Sequence, residues 1–284
     1  MSYKIIADSC MELTREMKNS GIFSNVAMYL HIGEETIEDN DTLEVSDLIA
    51  KMKAETGAMK SSCPSPEAFE SIMENLGEID EFFIITISSE LSGAYNSARL
   101  AAKDFREKFP EKKIAVINSR SASCGETLLG KKIWELKEKG NSFEEVVKKA
   151  EKYRDSMITK FVLESLDNLR KNGRLTGMKA FICDALNIKP VMVSTPKGTI
   201  DKLSQARGMK GALNKMVDSV KDDLKNAKDN VFAISHCNNQ KRAEFVKEQI
   251  ERLFDFHEII ILEQRGLSTL YAGEGGIIVA YSIG

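Results

Sequence analysis

The sequence predicts an α/β protein with an N-terminal Rossmann-like parallel-sheet domain, a C-terminal α/β (α+β) domain, and a ligand bound between them. Apolar runs of strand length alternate with segments of helical periodicity, which is typical of a parallel sheet covered on both faces. Serine-rich segments follow several of these runs, where ligand loops of such sheets lie. The length of 284 residues exceeds one typical domain.

The first half of the chain contains the elements of the predicted parallel sheet. The strands are expected at residues 4–7, 26–32, 82–87 and 114–117. The run at 82–87, FFIITI, has the aromatic and β-branched composition of a central strand. Helices are expected at residues 43–52, from Ser65 onward, and at 94–105, 125–139 and 142–156, where Ser142 and Glu145 form a capping box.

The second half has a looser pattern, and we place the domain boundary before it, giving domains of residues 1–157 and 158–284. Strands are expected at residues 161–163, near Val191 and Ile200, and at 231–235, 259–262 and 277–281. Helices are expected before Gly173, near 180–186, and at 209–224 and 240–254. Two domains leave a cleft in which a ligand can bind.

Composition limits the classes of partner and the cellular location. The net charge of -3 comes from mixed acidic and basic residues without a basic block, which argues against nucleic acid. The N-terminal apolar run is too short for a signal peptide, and no stretch has the length of a membrane span. The five cysteines are odd in number and scattered, which favours reduced thiols in the cytoplasm.

Serine-rich segments carry the predicted binding site. Ser92 and Gly93 follow the strand at 82–87 and precede a helix, so hydroxyl and backbone N–H groups can hold an anion such as a carboxylate. Ser61 and Ser62 supply further hydroxyls before the helix that starts at Ser65. A third segment, at residues 118–125, is polar in the same way. The alternative is that these serines only cap helices and turns.

Enzymatic alternatives have weaker support in the sequence. The chain lacks GxSxG, a P-loop, GxGxxG after a strand, and cysteine or histidine residues at metal-ligand spacing, so we expect no cofactor and no metal. His236 ends a predicted strand and could act as the base that activates a nucleophile, although a structural role is commoner for such a histidine. Cys63 and Cys124 are candidate nucleophiles or small fillers. An acyl-ester hydrolase or acyltransferase using a loop Ser or Cys therefore remains the alternative.

Three arginines form a further feature. Arg170 and Arg174 lie on either side of the segment KNG, and Arg207 precedes a predicted helix. They form either a solvated basic face beside helix ends or a surface that docks a partner.

These segments together resemble the DegV family of fatty-acid-binding proteins, nearly from end to end. The matching segments are residues 4–9 (KIIADS), 61–66 (SSCPSP), 87–98 (ISSELSGAYNSA), 116–119 (VINS), 166–175 (LDNLRKNGRL), 205–207 (QAR) and 271–275 (YAGEG). The resemblance implies a non-enzymatic, two-domain lipid carrier that presents a long-chain fatty acid to a partner fatty acid kinase.

The resemblance also assigns roles to particular residues. The hydroxyl pair of the family's first motif falls on Ser61 and Ser62, and its head-group serine falls on Ser92. A family histidine falls on Tyr271, whose hydroxyl can also donate a hydrogen bond to a carboxylate. By the same comparison, Arg174 and Arg207 are expected to dock the kinase rather than the lipid.

Overall fold

The computed structural model describes residues 2–57, 59–175, 187–224 and 227–284. The helix predicted near 180–186 lies outside these ranges. The strands are β1 (Tyr3–Asp8), β2 (Phe23–Val26), β3 (Tyr29–Ile32), β4 (Glu35–Glu38), β5 (Lys60–Ser62), β6 (Glu81–Thr86), β7 (Lys113–Asn118), β8 (Met157–Val162), β9 (Ile188–Ser194), β10 (Ile200–Arg207), β11 (Val231–His236), β12 (Glu258–Glu263) and β13 (Ile277–Ser282). The helices are α1 (Arg15–Asn19), α2 (Val45–Ala54), α3 (Pro66–Asn75), α4 (Ala94–Lys108), α5 (Cys124–Glu138), α6 (Phe143–Asp155), α7 (Asp167–Lys171), α8 (Gly208–Asp218), α9 (Val220–Asp223), α10 (Gln240–Glu251) and α11 (Gly266–Ala272).

The first sheet is parallel, as the sequence predicts, with the order β2-β1-β6-β7. Alternate residues of β6 enter different cores because successive side chains of a strand point to opposite faces. Phe83 packs with α5 and α6 on one face, and Phe82 packs with α3 and α4 on the other. Both rings are fully buried, and each contributes roughly 1.5 to 3 kcal/mol of hydrophobic stabilisation.

The second sheet has six strands in the order β10-β9-β8-β13-β11-β12. Its neighbours pair antiparallel except for β11 and β12, which are parallel. Helices α8 and α10 cover one face, and α5 packs on part of the other. The last strand of the parallel sheet ends at Asn118, α6 ends at Asp155, and the second sheet begins at Met157. The division into domains of residues 1–157 and 158–284 stays a proposal.

A small antiparallel sheet, β4-β3-β5, corrects two expectations from the sequence. The single strand predicted at residues 26–32 is divided, because the backbone N–H of Met28 donates to the Ser9 hydroxyl and its carbonyl accepts from Asp39. The chain therefore leaves the parallel sheet after β2. Ser61 and Ser62, expected in a loop, belong to strand β5 and pair with Leu30 and Tyr29.

Helix α5 joins the two larger sheets. Its Leu129 and Ile133 pack with the parallel sheet, while Cys124 and Leu128 pack with strands of the second sheet. Gly130 permits close contact, since a Cβ atom there would lie 3.0 Å from the sulfur of Met11. Among the described residues, no helix combines the length and apolar composition needed to cross a membrane.

Buried carboxyl groups surround the start of α5. Burial raises the pKa values of Asp8 and Glu12 to about 7, and it raises the pKa of Glu126 well above its usual value. Asp8 accepts hydrogen bonds from the backbone N–H groups of Ile87, at 2.8 Å, and Cys10, at 3.1 Å. One carboxyl oxygen of Glu126 lies within 4.8 Å of a carboxyl oxygen of Asp8, and neither Glu126 oxygen has a hydrogen-bond partner among the described residues. Burial and the nearby Asp8 carboxylate therefore both favour the uncharged form of Glu126.

We expect Glu12→Gln to change how stability depends on pH. Glu12 binds a proton in the folded state at pH values where the unfolded chain has released it, so its contribution is complete near its unfolded pKa of 4.5 and is lost as pH rises toward 7. Glutamine does not titrate, so the variant does not lose stability in this way as pH rises. Relative to wild type, its free energy of unfolding should increase by up to about 1.4 kcal/mol per pH unit between about pH 5 and 7.

Urea denaturation at several pH values measures this difference. The matched control is Glu107→Gln, which removes a carboxyl group at an exposed position on α4, away from the buried carboxyl groups. Parallel pH profiles for wild type and Glu12→Gln would contradict the assignment of a raised pKa to Glu12.

Candidate functional site

A cavity lies between the parallel-sheet loops, helix α11 and the second sheet. The centre of a water-sized sphere can occupy about 100 Å³ of it. That is several times the roughly 10 to 15 Å³ that one water molecule needs, so the cavity has room for a ligand. Its apolar wall comprises Met28, Ile87, Leu91, Ala122, Phe161, Leu163, Leu169, Ile200, Leu267, Ala272 and Ile278. Both halves of the chain therefore form one binding space.

Polar side chains form one end of the cavity, which we call the Tyr271 end and define as Ser61, Ser92, Arg174 and Tyr271. The hydroxyl oxygens of Ser61 and Tyr271 are 2.8 Å apart. The guanidinium of Arg174 lies over the Tyr271 ring, 5.7 Å from its centre. Hydroxyl donors beside a guanidinium suit a carboxylate, which needs several donors in a small space.

The structure separates Ser61 from Ser62, although the sequence pairs them. Neighbouring residues of a strand point to opposite faces, so Ser61 faces the cavity and Ser62 faces away. The Ser62 hydroxyl lies 2.9 Å from Nε2 of His31, and the other ring nitrogen of His31 lies 3.0 Å from the Thr36 hydroxyl. Ser62 is thus not part of the cavity wall, which corrects its placement beside Ser61.

Ser92 and Gly93 also have different positions. Ser92 lines the cavity, and its hydroxyl accepts a hydrogen bond from the N–H of Ala94 at 3.3 Å, at the start of α4. Gly93 is exposed and lies outside the cavity wall. A Cβ atom on Gly93 would lie 3.1 Å from the sulfur of Cys63. The glycine therefore allows close packing of Cys63.

Arg174 and Arg207 have different relations to the cavity. Arg174 lines the cavity, and its Nε donates to the carbonyl of Leu91 at 3.1 Å. Arg207 is exposed at the end of β10, where it pairs with Ile188, and it lies outside the cavity wall. The shared docking role expected for the two arginines stays a prediction.

Tyr271 was placed by resemblance alone, and its helix α11 was not predicted from the sequence. The spacing of Leu267, Leu270 and Tyr271 is that of one face of a helix, and this pattern could have predicted α11. The first N–H groups of α11, those of Gly266 and Leu267, donate to the carboxylate of Asp39 at 3.0 and 2.8 Å. The hydroxyls of Thr159 and Ser194 also line the cavity and were not identified from the sequence.

The described residues offer little support for an activated nucleophile in the cavity. His236 is buried and structural, since Nδ1 accepts from the N–H of Asn239 and Nε2 contacts the Gln240 side chain at 2.7 Å. Burial raises the pKa of the Cys124 thiol, which disfavours its reactive thiolate. Cys63 lies outside the cavity wall and contacts the Ser97 hydroxyl.

Comparisons with known proteins agree with this geometry. A family model described as "Uncharacterised protein, DegV family" matches residues 2–283. A DegV domain-containing protein of Streptococcus pyogenes serotype M1 is 36% identical over 287 residues, covering 100% of both chains.

Solved structures show the same fold. A DegV family protein of Ruminococcus gnavus, described with vaccenic acid, has 47% identity and a TM-score of 0.95, with 99% of each chain covered. The Fatty Acid Kinase (Fak) B3 protein of Streptococcus pneumoniae, loaded with linoleic acid, has 33% identity and a TM-score of 0.89, with 100% of each chain covered. Since the family model and these relatives extend over essentially the whole chain, this protein belongs to the DegV family.

Proposed function

We propose that this protein is a carrier that binds one long-chain fatty acid and presents it to a fatty acid kinase. The observation that carries the proposal is one cavity with a long apolar wall and the hydroxyls of Ser61, Ser92 and Tyr271 at one end. The carboxylate binds these hydroxyls, and the tail lies along the apolar wall. The vaccenic and linoleic acids of the two structural relatives support this ligand class.

The two parts of the cavity contribute differently to binding. The tail supplies most of the affinity, at about 0.8 kcal/mol for each methylene removed from water, less the cost of association. Hydrogen bonds to the charged head group contribute roughly 1.5 to 3 kcal/mol each, which mainly offsets the desolvation of the carboxylate. The polar end therefore determines the orientation of the acid.

The partner is proposed from the relative described as a fatty acid kinase B protein. Such a kinase must reach the carboxylate, which in this arrangement lies at the Tyr271 end. Arg207 is exposed and belongs to the second domain, so it remains the candidate for docking the kinase. Arg174 contacts both Leu91 and Tyr271, and we assign it first to the head group. We propose the cytoplasm as the location, where a kinase finds its nucleotide.

The alternative function is an acyl-ester hydrolase or acyltransferase. The feature that favours it is the hydrogen-bond contact between the Ser62 and His31 side chains. However, Ser62 faces away from the cavity that would hold the acyl group. Incubation with a nitrophenyl acyl ester distinguishes the functions, because an enzyme would give saturable turnover that Ser62→Ala abolishes, whereas the carrier should give none.

Protein purified from a heterologous host is expected to contain a fatty acid from that host, in about equimolar amount. The apolar wall favours long chains over short ones, since each methylene adds to the binding free energy. Native mass spectrometry and organic extraction measure the occupancy. Absence of an acyl species, combined with failure of delipidated protein to bind added palmitic or oleic acid, would rule out the carrier.

Ser61→Ala and Ser62→Ala form a matched pair that tests the head-group assignment. Ser61→Ala and Ser92→Ala should each weaken fatty acid binding about ten- to a hundred-fold, because each removes a hydrogen bond to a charged group. Ser62→Ala should leave affinity within about twofold. Isothermal titration with an acid and its methyl ester gives the comparison, and the ester should be insensitive to Ser61→Ala. Equal effects of Ser61→Ala and Ser62→Ala would refute the placement of the carboxylate.

Arg174→Gln and Arg207→Gln are expected to separate lipid binding from partner docking. Arg174→Gln should lower affinity for the acid about tenfold, since the guanidinium lies beside the proposed carboxylate position. Arg207→Gln should preserve that affinity and slow phosphorylation of the bound acid by the kinase. Loss of lipid binding in Arg207→Gln, or wild-type affinity for the acid in Arg174→Gln, would contradict these assignments of the two arginines.

A further inference from the structure

The cavity has a second polar end, which the proposed function does not use. We call it the Thr159 end and define it as Ser121, Thr159, Ser194 and Thr199, all of which line the cavity. The hydroxyl oxygens of Ser121 and Thr159 are 2.6 Å apart and buried. The Ser194 hydroxyl accepts from the N–H of Thr159 at 3.1 Å. Four hydroxyl groups therefore occupy a region where a simple tail would present only methyl and methylene groups.

Strand β8 shows that the two polar ends are separate. Leu163, Phe161 and Thr159 occupy alternate positions, so they share the face that lines the cavity. Leu163 packs in the same cluster as Leu169 and Tyr271. Thr159 lies four residues from Leu163, a distance of about 13 Å at 3.3 Å per residue. A tail that starts at the Tyr271 end and follows β8 therefore passes apolar side chains before it reaches hydroxyls.

The Ser121 and Thr159 hydroxyls can bind a ligand oxygen. The hydrogen bond between them uses one of their two hydroxyl hydrogens. The Ser121 hydroxyl can also donate to the Ala122 carbonyl, at the longer distance of 3.4 Å. If Ser121 donates to Thr159, the Thr159 hydrogen is available to the cavity. The first turn of α5 is fitted closely to this pair, because a Cβ atom on Gly125 would lie 2.0 Å from the Ser121 oxygen and 3.1 Å from the Thr159 oxygen.

Charge at this end favours a neutral ligand group. Arg120 also lines the cavity, and its guanidinium forms an ion pair with Asp155 at 3.0 Å. The same nitrogen is 3.4 Å from the Pro196 carbonyl. Arg154 contacts the same Asp155 carboxylate at 2.8 Å, and the Arg120 and Asp155 side chains are 38% and 54% exposed. Ser121 and Thr159 are buried, so a carboxylate placed against their hydroxyls would have to give up its water. A neutral oxygen would instead satisfy the hydroxyls without adding charge.

We propose that the preferred ligand is a long-chain fatty acid with a neutral oxygen, a hydroxyl or keto group, toward its methyl end, bound by Ser121 and Thr159. The proposal rests on the proposed carrier function and names its substrate class. An unsubstituted tail of the same length would place a methyl group against the hydroxyls. Thr159 would then donate to Ser121, and Ser121 would have only the long contact of 3.4 Å to the Ala122 carbonyl. A hydroxylated tail gives the hydroxyls a hydrogen-bond partner and orders the far end of the chain.

The test compares saturated acids, from decanoic to octadecanoic acid, with their ω-hydroxy derivatives on delipidated protein. In a wholly apolar site, the added hydroxyl would weaken binding at every length. We expect at least one length at which wild type binds the hydroxy acid as tightly as the plain acid or more tightly. Thr159→Val keeps the shape of the side chain, and it should lower the affinity for that hydroxy acid about fivefold relative to the affinity for the plain acid. Ser62→Ala is the matched control, and it should leave the ratio of these two affinities unchanged.

The outcomes separate this inference from the proposed function. If neither kind of acid binds, the carrier function itself is wrong. If plain acids bind but the hydroxy acids are weaker at every length, or if Thr159→Val leaves the ratio unchanged, only the substrate class is wrong. Tightest binding of an α,ω-dicarboxylic acid would overturn the neutral-oxygen assignment and indicate that Arg120 exchanges Asp155 for the ligand. Circular dichroism and urea denaturation of Thr159→Val, compared with wild type, establish that the variant is folded.

Discussion

The carboxylate of Asp39 holds together three segments on which the Tyr271 end depends. It accepts hydrogen bonds from the Ser9 hydroxyl and from the first two N–H groups of α11, at 2.8 to 3.0 Å. Gly266 is required at this contact, because a Cβ atom there would lie 2.5 Å from the carboxylate oxygen. A buried charge is stable when it is satisfied in this way. The result is a fixed α11, which brings Tyr271 to Ser61.

A second constraint is the closeness of α5 to both larger sheets. The helix starts among buried carboxyl and hydroxyl groups, where the Ser123 hydroxyl contacts both Glu12, at 2.9 Å, and Ser235, at 2.7 Å. Ser123 belongs to the loop after β7, and Ser235 belongs to β11 of the second sheet. Polar groups in a dry interior require such partners, so these contacts favour one relative arrangement of the sheets. That arrangement creates the cavity.

Local sequence patterns predicted the regular elements better than they predicted their partners. Strand β6 and the capping box of Ser142 and Glu145 were recognised because apolar composition and capping act over a few residues. Strand β5 was missed because Lys60, Ser61 and Ser62 have no apolar pattern. It exists through pairing with β3, which comes from about 30 positions earlier in the chain. Strand pairing across that separation leaves no local signal.

The sequence alone determined the α/β class, the parallel sheet, the family resemblance and the serine segments, because composition, periodicity and capping are properties of neighbouring residues. Tertiary structure decided which of those serines share a site. It turned Ser61 toward the cavity and Ser62 away from it through strand alternation, and it brought Arg174 beside Tyr271. It also placed Thr159 at the far end of the same cavity. These are contacts between distant segments, which depend on how the sheets pack and therefore cannot be read from adjacent residues.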